Sequence, residues 1–243
     1  MSLLSSSSAV IGLWPDGITV SRRGRSGEEA STQTYSANNT SGGNSASWRT
    51  SIAVLEEWLD DNEGTRAKSD IVISDQFMRY MVLPWSPELA NDDEWRALAR
   101  AKIDLMWGNG DDFDIRLDQR RYKRSRLVCA MELDFRTRLK TLMSDHDHAI
   151  RTIQPHFTFA FNDVAAGISA HDALMVVSER DCATVAAITG CCWGHIRTIL
   201  LPGLDSNAVD TLVNRERLLL GLSSEAAVIG GRYYPTLSAV AAI

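Results

Sequence analysis

Between Asp172 and Gly230 the sequence runs through three strand-like segments, an amphipathic helix and a further strand, and its first 74 residues follow the same order. In the later copy, "DALMVVSE", "CATVAAIT" and "WGHIRTILLP" are β-branched and apolar runs separated by tight turns at Glu179-Arg180-Asp181 and Thr189-Gly190. A helix starting near Asp205 or Ser206 is expected to bury Val209, Leu212, Val213 and Leu220 and to stop at Gly221, and "EAAVIGG" follows as a strand. In the earlier copy, "AVIGLWPDGITVSRR" reads as a hairpin turning at Pro15-Asp16-Gly17, with Asp-Gly supplying positive-φ positions. A weak third strand is expected near Thr32 to Tyr35, then a helix with Trp48, Ile52, Leu55 and Leu59 on one face, then a strand at 70–74. The two copies share no residue-by-residue similarity, so what repeats is an order of elements, and two related α/β lobes account for it.

The remaining text fits around those copies. Asn91 and Glu94 make a capping box for a helix carrying Trp95, Leu98, Ala99, Ile103 and Met106 on one face and ending at Gly108. "FDIRLDQ" and "RLVCAMEL" are strands, Phe135, Leu139, Leu142 and Met143 mark a third helix, and residues 149–154 close the first half. Ile71–Ile73 and Met81–Leu83 read as a hairpin cornered at a polar turn, with Arg79 paired to an acid such as Asp75. The expected domains are therefore 1–155, with a mobile loop at 24–47 and an inserted hairpin and helix at 71–126, and 156–243.

Composition narrows the function classes. Apolar residues at 44% and charged residues at 23% support a packed core. A net charge of −6 argues against a broad phosphate-binding surface, so nucleic acid is not an expected partner. No apolar run approaches the ~18 residues needed to cross a bilayer, and the start lacks a secretory signal, so a cytoplasmic protein is expected. The four cysteines sit in strand-like text and read as reduced core thiols, "CCWGH" among them, while "SDHDH" reads as a solvated turn at a helix end. Neither has zinc spacing, and no metal site is expected. The basic run "RLDQRRYKRSR", 116–126, reads first as a solvated hairpin tip, with contact to an acidic protein, to membrane headgroups or to nucleic acid as the alternatives. The Walker loop, the Gly-x-Ser-x-Gly elbow and His-Glu-x-x-His are all missing, and no catalytic residue is assigned.

Residues 73–108, "ISDQFMRYMVLPWSPELANDDEWRALARAKIDLMWG", are similar to a segment of cytoplasmic actin-like proteins of type IV pilus and type II secretion machines, the PilM-like and GspL-like groups. There a strand ends in a short polar turn, an Arg-Tyr pair starts the next strand, a Pro-Trp ends it, and an acidic-capped helix follows. The resemblance implies two RNase H-like lobes of the actin-like ATPase superfamily, each a mixed sheet with flanking helices. It also implies an inner-membrane assembly protein as partner, held through a cytosolic peptide, with Arg79, Tyr80 and Trp85 as the partner-binding surface and recruitment to the inner membrane. In that superfamily an Asp-x-Gly hairpin in each lobe holds the nucleotide phosphates and Mg²⁺. This chain departs from the pattern: Gly12 stands at the carboxylate position, Trp14 at the glycine position, and the second hairpin has Glu179 and Asp181 but no glycine. Only Gly230-Gly231 resembles the glycine pair that admits adenosine. The expectation is a degenerate nucleotide site, no required cofactor, weak or absent ATPase activity and a scaffold role. An ATP-binding protein with nucleotide-dependent lobe closure, and an unrelated α/β binding domain, stay open as alternatives.

Overall fold

The computed structural model describes residues 7–22, 31–37, 47–63, 67–165, 172–201, 206–223 and 226–232. Its chain divides into two compact units, the first drawn from 1–77 and 134–159, the second from 78–133 and 160–234. Parts of the expected mobile loop, 24–30 and 38–46, lie outside the described residues. Among those described, no helix is long and apolar enough to cross a membrane.

The first unit is built on a five-stranded sheet. Strands β1 (Ser7–Trp14), β2 (Gly17–Arg22) and β3 (Ser31–Ser36) form an antiparallel meander, helix α1 (Trp48–Asp61) crosses over, and β4 (Ala67–Ile73) returns parallel to β1. Helix α3 (Leu133–Asp145) leads to β8 (Ala149–Pro155), parallel to β4, giving the order β3-β2-β1-β4-β8. The expected third strand is present, mostly exposed at the sheet edge. All four residues expected on the buried face of α1 are buried, as are the four on α3, and Trp48 stacks on Phe135 with ring centres 5.1 Å apart. The first turn comprises Pro15 and Asp16, and Gly17 opens β2 with the expected positive φ, +156°, while Asp16 does not share it. A Cβ at Gly17 would also stand 2.0 Å from the Tyr35 carbonyl oxygen of β3. The glycine is thus required both by its backbone conformation and by close approach of a neighbouring strand.

In the second unit, β9 (Ala173–Ser178), β10 (Cys182–Thr189) and β11 (Cys192–Leu200) form another meander. Helix α5 (Ser206–Leu220) then leads to β12 (Ala227–Arg232), parallel to β9, and the order β11-β10-β9-β12 repeats the β3-β2-β1-β4 part of the first sheet. Leu212 and Val213 of α5 are buried on Leu174, Val176, Ala183 and Val185, while Val209 and Leu220 are only half-buried. Beside this sheet the unit carries a smaller one, β5 (Met78–Leu83), β7 (Arg126–Glu132) and β6 (Phe113–Leu117), in the order β5-β7-β6.

Helix α2 (Asp92–Trp107) covers one face of the smaller sheet with Trp95, Ala99 and Ile103. Its capping box forms: the Asn91 side chain accepts from the Asp93 and Glu94 amides at 3.0 Å, and the Glu94 carboxylate accepts from Asn91 Nδ2 at 2.9 Å. Met106 departs from expectation, being 59% exposed in the last turn.

Three sequence readings are corrected. Ile71–Ile73 and Met81–Leu83 do not make a hairpin: β4 pairs with β1 and β8, while β5 pairs with β7 in another sheet, a 3-10 turn at Asp75–Phe77 carrying the chain between them. A helix, α4 (His156–Val164), follows β8 where none was expected; its Phe157, Phe159 and Phe161 alternate like a strand. Cys191 is not a core residue but an exposed turn residue with φ +61°, next to Gly190 at +55°, and Cys192 is half-buried. All four thiols are free, as expected.

Candidate functional site

Three parallel strands of the first sheet, β1, β4 and β8, end together, and ligands of open α/β sheets gather at such carboxyl ends. Trp14 closes β1 there and is fully buried. Its indole Nε1 donates to Thr19 Oγ1 at 2.9 Å, and its ring meets the His156 ring edge-on at 5.1 Å. The ring lies back over Gly12, where a Cβ would come within 2.7 Å of Trp14 Cζ2 and 2.5 Å of Thr19 Oγ1. Gly12, Trp14 and Thr19 are thus one packing unit: the tryptophan needs a residue without a side chain beneath it.

Beside them, Ser74 follows β4 and donates its amide to the Leu13 carbonyl at 2.9 Å. Asp75, also buried, accepts from the Phe157 amide at 3.0 Å and so holds the first turn of α4. Asp75 and His156 escaped the sequence reading as site residues. Their signal was position, polar residues within two positions of the ends of β4 and β8, and it becomes visible only once the strands are known to be neighbours.

In the second unit, the same end of the sheet carries Gly230 and Gly231, paired with Val176 and Val177 inside β12. They are strand residues and not a turn. Glu179 ends β9, buried, with its amide donating to the Cys182 carbonyl at 2.8 Å and the Cys182 thiol 3.5 Å from its carboxylate.

Arg79 and Tyr80 lie on β5 and Trp85 just beyond it. Arg79 Nη1 donates to the Met78 carbonyl at 3.0 Å, Tyr80 is buried, and Trp85 is half-buried against the α2 core and edge-on to Tyr122 at 5.7 Å. One edge of β5 pairs with β7, and β11 of the larger sheet lies close to β5 without pairing with it. Because β12 is at the far edge of the larger sheet from β11, the three residues are not brought together with Gly230 and Gly231.

The 118–125 tip is more firmly held than a solvated hairpin end. Asp118 accepts from Trp193 Nε1 at 2.9 Å, Arg124 donates to the Cys191 carbonyl at 3.0 Å, and Ser125 to that of Trp193 at 2.5 Å. Arg126, with its side chain 4% exposed, donates to Asp92 at 2.8 Å and to the Asp118 carbonyl. Burial raises the Asp118 carboxyl above its ordinary range, opposed by hydrogen bonds from Leu127 and Trp193 and by the Arg126 and Arg121 charges.

Two mixed sheets of matching strand order, each with the first and fourth strands parallel across a helix, are the architecture that solved structures identify. A Bacteroides thetaiotaomicron protein described as having an actin-like ATPase fold and unknown function matches 94% of this chain and 84% of its own, with a TM-score of 0.60 and 10% identity. The chain has the actin-like ATPase fold. Two further solved structures align over most of their length. One is the cytoplasmic domain of EpsL, an inner-membrane component of the Vibrio cholerae type II secretion system, with a TM-score of 0.56, 8% identity, and 93% and 83% coverage. The other is the PilM–PilN type IV pilus biogenesis complex, with a TM-score of 0.54, 10% identity, and 95% and 82% coverage. No protein family model and no curated protein matches the sequence.

Proposed function

We propose that this actin-like chain is a non-catalytic cytoplasmic scaffold that docks a peptide or domain of an inner-membrane pilus or secretion assembly protein. The observation that carries the non-catalytic part is the Trp14 indole, buried over Gly12 and tied to Thr19 where an actin-like hairpin would present its phosphate-binding backbone. Bulk and an engaged indole N–H replace the open amides and carboxylate that phosphate and Mg²⁺ require. The docking part is supported by the likeness in fold to EpsL, an inner-membrane component of a secretion system, and to the PilM–PilN complex. Arg79, Tyr80 and Trp85 are the surface assigned to it.

A ligand stabilises a fold in proportion to its binding. The melting temperature is expected to stay unchanged in millimolar Mg-ATP, with no phosphate released; a rise of several degrees overturns the non-catalytic reading. Co-purification with inner-membrane proteins encoded by neighbouring genes tests the docking part separately.

A second reading, an ATP-binding protein, is favoured by one feature. Gly230 and Gly231 remove two consecutive side chains near the carboxyl end of the second sheet, leaving bare backbone for a ligand to approach.

A further inference from the structure

The smaller sheet of the second unit has two edges in different states. Beside β5 lies β11, whereas β6 has β7 on one side and, among the described residues, no strand on the other. Register identifies which backbone groups face outward. The Asp118 amide donates to the Leu127 carbonyl at 3.0 Å, so at the end of β6 the inward groups belong to Asp118, Arg116 and Asp114. By the alternation of an antiparallel ladder, the amides and carbonyls of Phe113, Ile115 and Leu117 point away from β7.

Along this edge runs a cavity of about 400 Å³ between β6 and the start of α2. Four guanidinium groups line it, Arg96, Arg116, Arg120 and Arg126, against the carboxylates of Asp92 and Asp118. Arg126 is buried with its Nε lacking a hydrogen-bond partner, and Asp118 Oδ1 stands 3.8 Å from it. Arg96 is paired with the exposed Asp93 at 2.9 Å, and Arg116 with the half-buried Asp114 at 3.2 Å. An exposed pair such as Arg96–Asp93 is worth about 0–1 kcal/mol, so an incoming acid can displace it at little cost. Charges on an open edge also discourage aggregation, but protection alone does not call for a groove lined by a buried arginine.

We infer that the open edge of β6 and the arginine-lined groove beside α2 bind an extended acidic peptide, which adds as a fourth strand to the β5-β7-β6 sheet. Main-chain hydrogen bonds to Ile115 and Leu117 hold its backbone, and its acidic side chains reach Arg96 and Arg120. This goes beyond the docking surface proposed above, since β6 and β5 are opposite edges of one sheet.

The probes are two labelled heptapeptides with capped ends, one of alternating glutamate and valine, the other of alternating lysine and valine, followed by fluorescence anisotropy with the full chain. The acidic peptide is expected to bind at least about tenfold tighter than the basic one, and more weakly as salt is raised. Leu117→Pro removes an amide that faces away from β7, a position an edge strand tolerates, and is expected to weaken binding about tenfold. Arg96→Glu, an exposed substitution, is expected to weaken it similarly, and amide exchange should slow at 113–117 in the complex. Equal affinity for the two peptides, full binding by either variant when folded, or protection confined to 78–83 overturns the proposal. Should Leu117→Pro fail to fold, Arg96→Glu and the exchange pattern decide. Loss of this binding leaves the Tyr80 surface untouched, so the two docking proposals fail independently.

Discussion

The Trp14 indole and the Thr19 hydroxyl are joined by a 2.9 Å hydrogen bond across the first hairpin, and neither side chain reaches solvent. Thr19→Val keeps the volume but strands a buried donor, which costs about 1–3 kcal/mol. Urea unfolding should show the midpoint fall with the slope unchanged. Gly12→Ala places a methyl into the space shared by Thr19 Oγ1 and the indole, and about 1–3 kcal/mol of overpacking is expected from the same measurement.

Glu216 of α5 is fully buried and accepts from Arg197 of β11 at 2.5 Å through both carboxylate oxygens, and from Arg215 at 3.0 Å. The arginines are half-open to water, so the pair sits at the margin of the core. Glu216→Ala leaves their charges uncompensated and opens a void. A loss of about 2–4 kcal/mol is expected in denaturant unfolding, less than for a fully sealed pair.

Two histidines give acid stability opposite slopes. Burial lowers the affinity of His148 for protons, with the nearby His146 adding to the effect. The unfolded chain, with an ordinary histidine, then takes up protons first, so this group costs stability as pH falls below about 6.5. His146 is shifted upward, chiefly by its hydrogen bond to Asp60 at 2.9 Å and also by the Leu142 carbonyl. Its contribution is full below the unfolded value and fades as pH rises through the folded one. Between pH 7.5 and 5, by unfolding titrations at stepwise pH, His148→Gln should lose less stability than the wild type on acidification, and His146→Gln more.

Tyr80 is buried in β5 and Trp85 half-buried against the α2 core. Tyr80→Ala should cost about 3–5 kcal/mol in unfolding, and Trp85→Ala about 1–3 kcal/mol because part of its ring already contacts water. If Trp85 anchors a partner, the Trp85→Ala protein remains folded by circular dichroism and loses co-purification with it.

Much of the fold was legible because amphipathic period is a local quantity. Trp48, Ile52, Leu55 and Leu59 fall on one helical face whatever lies opposite, and all four are buried. The Asn91–Glu94 cap formed for the same reason, since both partners lie within one turn. The short α4 was missed because nine residues with alternating phenylalanines carry both periods at once. At the site, the Gly12–Trp14 departure from the actin-like hairpin was readable in the residues, but the direction of the indole was not.

The sequence by itself determined the elements, their order and the twofold recurrence of meander, helix and parallel strand, because turn chemistry and hydrophobic period act over a few residues. Tertiary structure decided which strands became neighbours. It sent β4 to β1 and β8 and gave β5 to β7 across some fifty residues of chain. It folded Trp14 over Gly12, buried Arg126 in the lining of a groove, and left β6 open. Strand pairing and side-chain burial are set by contacts between distant segments, whose free energies exist only once the chain has closed the loops between them.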